Sequence, residues 1–459
     1  MIGVLLHRRT VGLVPAVVLG LLAGSLSPAV AADSSAAATS SATTSPTTSP
    51  TTSPTTSPTT SPTTSPTTSP TTSPTADNAI VVKVDIADGY RIEDVESAFP
   101  VTVDSAVLAS RGIYRVHPTD PRYLKSGKAK DLADKIERAR GVVYAEPDAV
   151  TTLVDNRFHA WPEGSAEDAG TDPAVWLDQQ VVSELRLGDA HQLSVGTGVV
   201  VAVLDTGVDP NHPALRDRLV PGWDYVDDDP DPWEEDPGIP DGSGYTDTAY
   251  GHGTFVSGIT AMVAPNARIM PERVLDSNGR GNIFTVAQAL LDAADAGANV
   301  INLSFGMPKT TPSQLLDETI RDLQKRGVVV VAAAGNAGSD KQQYPAAAPQ
   351  VMSVAALGVD SDVLASFSCF GNWIDVAAPG DDIAGPIPGG RYAWWRGTSI
   401  AAPFVAGQVA LVRSIAPTLP PVKVFEAVLH TTDKLSSGRK VHSGAIDVVG
   451  SLDFTATHH

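Results

Sequence analysis

Five short apolar runs constrain this chain more than any other feature: Val199–Leu204, Ala267–Met270, Asn299–Leu303, Val328–Ala334 and Val351–Ala355. They are nearly continuous in Val, Ile and Ala, without the apolar–polar alternation of a strand that shows one face to water. Such strands need cover on both faces, and the intervening stretches are helical in pattern. The expectation is a mostly parallel sheet between two layers of helices, an α/β domain. In these sheets ligands gather beyond the carboxyl ends of the strands, so the residues that follow each run are the first place to look for chemistry.

The rest of the chain divides by composition. His7, Arg8 and Arg9 precede an apolar run from Val11 to Leu26 and the small-x-small pattern Ala29-Val30-Ala31, which reads as a signal peptide over residues 1–31. The run is short for a bilayer span and is broken by Pro15, Gly20 and Gly24, so no membrane span is expected in the mature, exported protein. TTSP is then repeated eight times from Thr43 to Pro74. With no large apolar side chain to bury, 32–78 reads as a disordered linker suited to O-glycosylation. Residues 79–154 carry a βαββαβ pattern, with helices expected over Ile92–Phe99 and Ala129–Arg140, which is the ferredoxin-like α+β motif and by composition alone reads equally as a free-standing binding domain. Residues 155–176, rich in Pro, Gly, Asp and Glu, form a connector to the large domain at 177–455.

Of the net charge of −20, residues 151–459 carry −19, from 38 acidic against 19 basic side chains. That surface argues against nucleic acid or anionic lipid as a partner. The single cysteine, Cys369, permits neither an internal disulfide nor a cysteine-based zinc site, and it reads as a small apolar residue.

Three motifs follow apolar runs or open apolar helices. Asp205-Thr206-Gly207 ends the first run; Gly251-His252-Gly253-Thr254 opens a helix; Gly397-Thr398-Ser399-Ile400-Ala401-Ala402-Pro403 opens another. Singly they read as a loop carboxylate, a capping or core histidine and an N-cap serine. Together, and in the order Asp, His, Ser, they resemble the subtilisin-like serine protease (subtilase) family over roughly Leu177 to Leu452. The resemblance implies a three-layer subtilisin-like domain and a serine endopeptidase: Ser399 as nucleophile, His252 as general base and acid, and Asp205 orienting the imidazole. Asn336, in Gly335-Asn336-Ala337-Gly338, matches the family's oxyanion-hole residue. Ser304, Phe305 and Gly306 match its substrate-pairing strand, Gly279 and Gly281 the opposite edge, and Gln343 the floor of the primary pocket, where a small residue is usual.

By the same resemblance, residues 79–154 are similar to the family's inhibitory propeptide, most clearly at Val143-Tyr144-Ala145-Glu146-Pro147-Asp148. The implied protein is a secreted, monomeric zymogen whose partners are protein or peptide substrates and its own propeptide. No cofactor is required for the chemistry. The alternating carboxylates of Asp224, Asp227, Asp229 and Asp231 resemble a structural calcium site of thermitase-like members, and read equally as a solvated acidic loop. Departures from the family are Phe255 for a usual histidine, Ile400 for a usual methionine, and the direct passage from Met262 to Pro265 where many members insert a calcium loop. Two other readings stand beside this one: a processing protease with few targets, and a catalytically silent binder on a repetitive stalk.

Overall fold

The computed structural model describes residues 78–125, 127–154, 169–236, 249–308, 313–360, 362–436 and 438–459. The expected signal peptide, most of the TTSP linker and much of the connector lie outside the described residues.

The small domain begins with β1 (Ile80–Val84), α1 (Ile92–Ala98), β2 (Val101–Leu108) and β3 (Ile113–Pro118). It continues with α2 (Ala129–Ile136), β4 (Val142–Pro147) and β5 (Val150–Leu153). Strands pair antiparallel in the order β2-β3-β1-β4, which is the arrangement a βαββαβ chain adopts when each helix crosses over one intervening strand. Leu132, Ala133 and Ile136 of α2 fall on one helical face and pack with Ile80, Val82 and Val116 into a core of their own. The expected helix to Arg140 stops at Ile136, because Gly141, at φ +82°, turns the chain back into β4.

In the large domain three short helices, α3 (Ala174–Leu177), α4 (Gln180–Glu184) and α5 (Leu187–Leu193), lead into the sheet strands β6 (Val200–Asp205), β7 (Trp223–Asp224) and β8 (Arg268–Arg273). Then come β9 (Arg280–Asn282), β10 (Val300–Leu303), β11 (Phe305–Pro308), β12 (Val329–Ala333), β13 (Gln343–Tyr344) and β14 (Val351–Leu357). The last strands are β15 (Val376–Pro379), the hairpin β16 (Ile383–Ile387) and β17 (Arg391–Trp395), and β18 (Gly444–Ala445). The main sheet has eight parallel strands in the order β18-β15-β14-β12-β10-β6-β8-β7. The five apolar runs are its five consecutive central strands, β14, β12, β10, β6 and β8.

Alternation along each strand sends neighbouring side chains to opposite faces. Val201 and Val203 of β6 pack with α6 (His252–Val263) and α9 (Thr398–Ile415), while Ala202 and Leu204 pack with α7 (Ile283–Asp295) and α8 (Gln314–Lys325). The three layers follow from that split. Chain order runs outward from β6 through β10, β12, β14, β15 and β18 on one side, while β8 and the short edge strand β7 lie on the other, so the gap between the carboxyl ends of β6 and β10 is a topological switch point, where the following loops diverge and leave a crevice. Among the described residues the one helix long and apolar enough to cross a membrane is Thr398–Ile415, and it is buried in this core.

Candidate active site

Asp205 is the last residue of β6, at the switch point, and is fully buried. Its Oδ1 accepts from the Thr206 backbone N–H at 2.8 Å and from Nδ1 of His252 at 2.7 Å. A carboxylate can only accept, so this contact places the imidazole proton on Nδ1 and leaves Nε2 as the basic nitrogen. His252 is the first residue of α6, which approaches β6 through Gly253. A Cβ at Gly253 would stand 2.2 Å from the Gly207 carbonyl oxygen and 3.2 Å from Cβ of Asp205, so any larger residue would push the histidine helix off the strand end. The imidazole also meets Trp395 edge-to-face, with centroids 5.3 Å apart, and Trp395 in turn packs on Phe255.

Ser399 is the second residue of α9 and is fully buried in this form of the chain. Pro403 lies four residues on and has no N–H, so the Ser399 carbonyl lacks its usual helical donor. Ser304 supplies one: its Oγ donates to the Ser399 carbonyl oxygen at 2.8 Å, while Asn302 Nδ2 donates to Ser304 Oγ at 2.9 Å. A proline that would otherwise weaken the helix start thereby ties the serine to the strand beside it. On the other side, Asn336 Oδ1 accepts from the Thr398 N–H, and Thr398 Oγ1 accepts from the Gly335 N–H, both at 2.9 Å. This clamp leaves donation to the Nδ2 end of the Asn336 amide.

Of the expected substrate residues, Ser304 and Gly279 immediately precede β11 and β9, and Phe305, Gly306, Gly281 and Gln343 lie in one small sheet, ordered β13-β11-β5-β9. Its third strand comes from the small domain. Leu153 of β5 pairs antiparallel with Phe305 and Thr152 with Gly306; across the other edge Thr151 pairs with Gly281, and the Leu153 N–H donates to the Gly279 carbonyl at 2.9 Å. The next register step puts Val154 opposite Ser304, which touches Ser399. A Cβ at Gly306 would meet the Tyr344 carbonyl oxygen at 3.1 Å and Val154 Cγ1 at 3.5 Å, so the Val154 side chain lies in front of Gly306. Gln343 lies across Gly335, where a Cβ would stand 2.7 Å from its Cγ. Cys369 is fully buried against the same loop, its N–H donating to the Gly335 carbonyl at 2.8 Å.

Two carboxylates of the small domain reach the large one at helix N-termini, where unpaired N–H groups and the helix dipole favour negative charge. Glu146 accepts from Ser313 Oγ at 2.7 Å, from the Gln314 N–H at 2.8 Å and from the Leu315 N–H at 3.3 Å at the start of α8. Asp148 Oδ1 accepts from the Phe284 N–H of α7 at 3.0 Å, and its Oδ2 accepts from Arg115 Nε at 2.7 Å. Burial pushes the Glu146 carboxyl up, against the pull of those three hydrogen bonds. Lys83–Glu318 and Arg111–Asp322 add ion pairs at the rim.

Among the described residues no group of three or more His, Cys, Asp or Glu side chains is arranged to hold a metal. Asp224 and Asp227 turn onto the Arg273 guanidinium, which Glu235 also meets at 2.8 Å, while Asp229 Oδ1 accepts from the Asp231 N–H at 2.9 Å. An arginine at the end of β8 thus supplies the positive charge that the loop's alternating carboxylates suggested for a metal.

A model of the subtilase family matches residues 196–445. A thermophilic serine proteinase of Bacillus sp. (strain AK1) is 41% identical over 327 residues, which span 68% of this chain and 73% of that protein. Thermitase of Thermoactinomyces vulgaris is 37% identical over 275 residues, 58% of this chain and 92% of that protein. The crystal structure of fervidolysin from Fervidobacterium pennivorans, a keratinolytic enzyme related to subtilisin, superposes with a TM-score of 0.64 at 25% identity, covering 82% of this chain and 60% of that one. With the α/β architecture and the paired Asp205 and His252 already in place, these likenesses make the chain a member of the subtilase family and a serine endopeptidase.

Proposed function

We propose that this endopeptidase is exported as a zymogen. Residues 1–31 direct export, 32–78 form a spacer, 79–154 hold the active site shut, 155–176 connect, and 177–455 carry the peptidase. The observation that supports this most is β5, a segment of the chain laid antiparallel between β11 and β9, where a substrate backbone would lie. Glu146 and Asp148, seated on α8 and α7, hold it there.

In the reaction, His252 Nε2 takes the proton of Ser399 Oγ as the oxygen attacks the substrate carbonyl, and Asp205 stabilises the imidazolium that forms. The Ser399 N–H at the start of α9 and Nδ2 of Asn336 receive the negative oxygen of the tetrahedral intermediate. His252 then protonates the leaving amine, and water, activated by the same imidazole, hydrolyses the acyl-enzyme. No metal is needed for any of these steps.

The maturation cut falls after Val154, the residue one step past Leu153 and opposite Ser304. A valine there also fits a primary pocket narrowed by Gln343, which favours small or branched aliphatic residues over aromatic ones before the scissile bond. The test compares wild type with Ser399→Ala. Wild type should separate into two chains, the larger beginning at Asp155, and should digest casein; Ser399→Ala should stay intact and inert. A first cut elsewhere would remove Val154 from its role, and cleavage in Ser399→Ala would remove the nucleophile assignment. Casein left untouched by fully processed wild type would favour a processing enzyme with few targets.

A further inference from the structure

The contact between Asp205 and His252 joins two separate elements, the end of β6 and the start of α6, and something has to set the spacing between them. Glu234 does so from the acidic loop between β7 and α6. Its Oε2 accepts from the Gly251 N–H at 2.9 Å, and its Oε1 accepts from the Thr254 N–H at 3.0 Å and from Thr254 Oγ1 and Thr206 Oγ1, each at 3.2 Å. Gly251 caps α6 just before His252, Thr254 lies in its first turn, and Thr206 follows Asp205 just past the end of β6. The bracing continues through the hydroxyls: Thr206 Oγ1 accepts from the Gly253 N–H at 3.0 Å, and Thr254 Oγ1 accepts from the Asp209 N–H at 2.9 Å. The loop itself is held by backbone bonds, with the Glu234 N–H donating to the Val208 carbonyl at 3.1 Å and the Val208 N–H to the Pro232 carbonyl at 3.0 Å.

We propose that Glu234 is a positioning residue of the peptidase, one that sets the geometry of the Asp205–His252 pair by tying the end of β6 to the first turn of α6. This rests on Asp205, His252 and Ser399 being the reacting groups. All of its partners are donors, two N–H groups and two hydroxyls, so the site suits an ionised carboxylate, which only accepts. A glutamine would turn its NH2 toward a donor on one side, and an aspartate is a methylene short of spanning both elements. Burial raises the Glu234 carboxyl and the nearby Asp205 charge adds to that, while the Gly251 and Thr254 N–H groups pull it down. A carboxylate beside a second carboxylate is costly to keep, and loop packing alone does not require it.

The experiment measures kcat and KM of wild type, Glu234→Gln, Glu234→Ala and Thr206→Val per active site, with sites counted by a serine-directed fluorophosphonate. It also records the downfield proton resonance of His252 Nδ1–H. Misalignment of a reacting pair by about 1 Å costs on the order of 100-fold in rate, so kcat of the Glu234 variants should fall about 10- to 100-fold. KM should stay within about twofold, since substrate pairs with β9 and β11. The resonance should shift or broaden, and Thr206→Val should show the same pattern more weakly. A purely structural role would lower the melting temperature and the number of titratable sites while leaving kcat per site and the resonance at wild-type values, which would overturn the proposal. Should Glu234→Ala fail to fold, Thr206→Val, which keeps the carboxylate, decides on the same two readouts. Ser399→Ala, run alongside, separates the two claims: if it still hydrolyses casein, the reading of the reacting groups falls; if it is inert while Glu234→Gln keeps wild-type kcat, only the positioning role does.

Discussion

Asp205 and Arg273 stand side by side at the carboxyl ends of β6 and β8, paired in register, and both are fully buried. Their surroundings differ. Arg273 meets three carboxylates, from Asp224, Asp227 and Glu235, which together with its own charge form a closed cluster. Asp205 meets one imidazole, and its Oδ2 accepts no hydrogen bond among the described residues. Adjacent strand ends thus carry a guanidinium already surrounded by opposite charge and a carboxylate that, among the described residues, meets a single imidazole. The first stabilises a loop. Under the proposed mechanism the second would hold stabilisation in reserve for the positive charge that His252 acquires only during the reaction, which is where a binding interaction accelerates chemistry.

The comparison breaks most sharply at Asp205. Asp205→Asn should lower kcat about 10⁴-fold by favouring the wrong imidazole tautomer, with the melting temperature little changed, as read by kinetics and calorimetry on the same sample. Arg273→Met should do the reverse. It strands the buried Asp224 carboxylate and the part-buried Asp227 carboxylate and should cost about 3–5 kcal/mol in denaturant unfolding of the Ser399→Ala background, while kcat per titrated site in the active parent stays near wild type. If both substitutions moved rate and stability together, the two strand ends would not have the separate duties assigned to them.

Glu272, the neighbour of Arg273 on β8, sharpens the picture. Burial pushes its carboxyl up to about 8, against the pull of the hydrogen bond it accepts from the Trp223 N–H at 2.9 Å. A raised carboxylate means that the folded chain holds this proton more tightly than the unfolded chain does. Its stabilising contribution is therefore full below the ordinary range near 4.5 and is lost as pH rises through about 8. Glu272→Gln should raise the melting temperature at pH near 9 and leave it nearly unchanged at pH near 4; the opposite trend would show that the group is ionised and stabilising. The smallest effect is expected at the domain contact. Glu146→Gln keeps one acceptor oxygen for the α8 start and should weaken inhibition by the small domain about 10-fold, a loss of about 1.4 kcal/mol, measured as the rate at which processed enzyme becomes active.

The five central strands were legible because Val, Ile and Ala run without interruption wherever both faces are covered, a signal that needs no knowledge of partners. Asp205, His252 and Ser399 were legible only together, through the order and motifs that resemble the subtilase family, because local turn and helix-start chemistry reads each alone as a loop carboxylate, a capping histidine or an N-cap serine. Arg273 was not, since its role depends on a loop some fifty residues earlier in the chain, and an acidic run reads the same whether a metal or a guanidinium neutralises it. Glu234 was hidden for a related reason: it stands among Asp229, Asp231, Glu235 and Asp236, and nothing in the order of residues marks which carboxylate turns inward. β5 has four residues, too few for periodicity to announce a strand that exists only because β9 and β11 lie on either side of it.

On the proposed maturation, β5 would vacate a slot one strand wide, with backbone donors and acceptors on both walls. Anything that refills the slot must offer several consecutive residues in extended form with both backbone edges bare. A helix cannot, and neither can a strand already seated inside another sheet. For a folded target, the rate of cutting therefore carries the free energy of opening that short segment as a multiplying factor, whatever side chains it bears. Two targets with the same residue before the cut would differ in lifetime according to how often each frays, so the cleft measures looseness before it reads sequence.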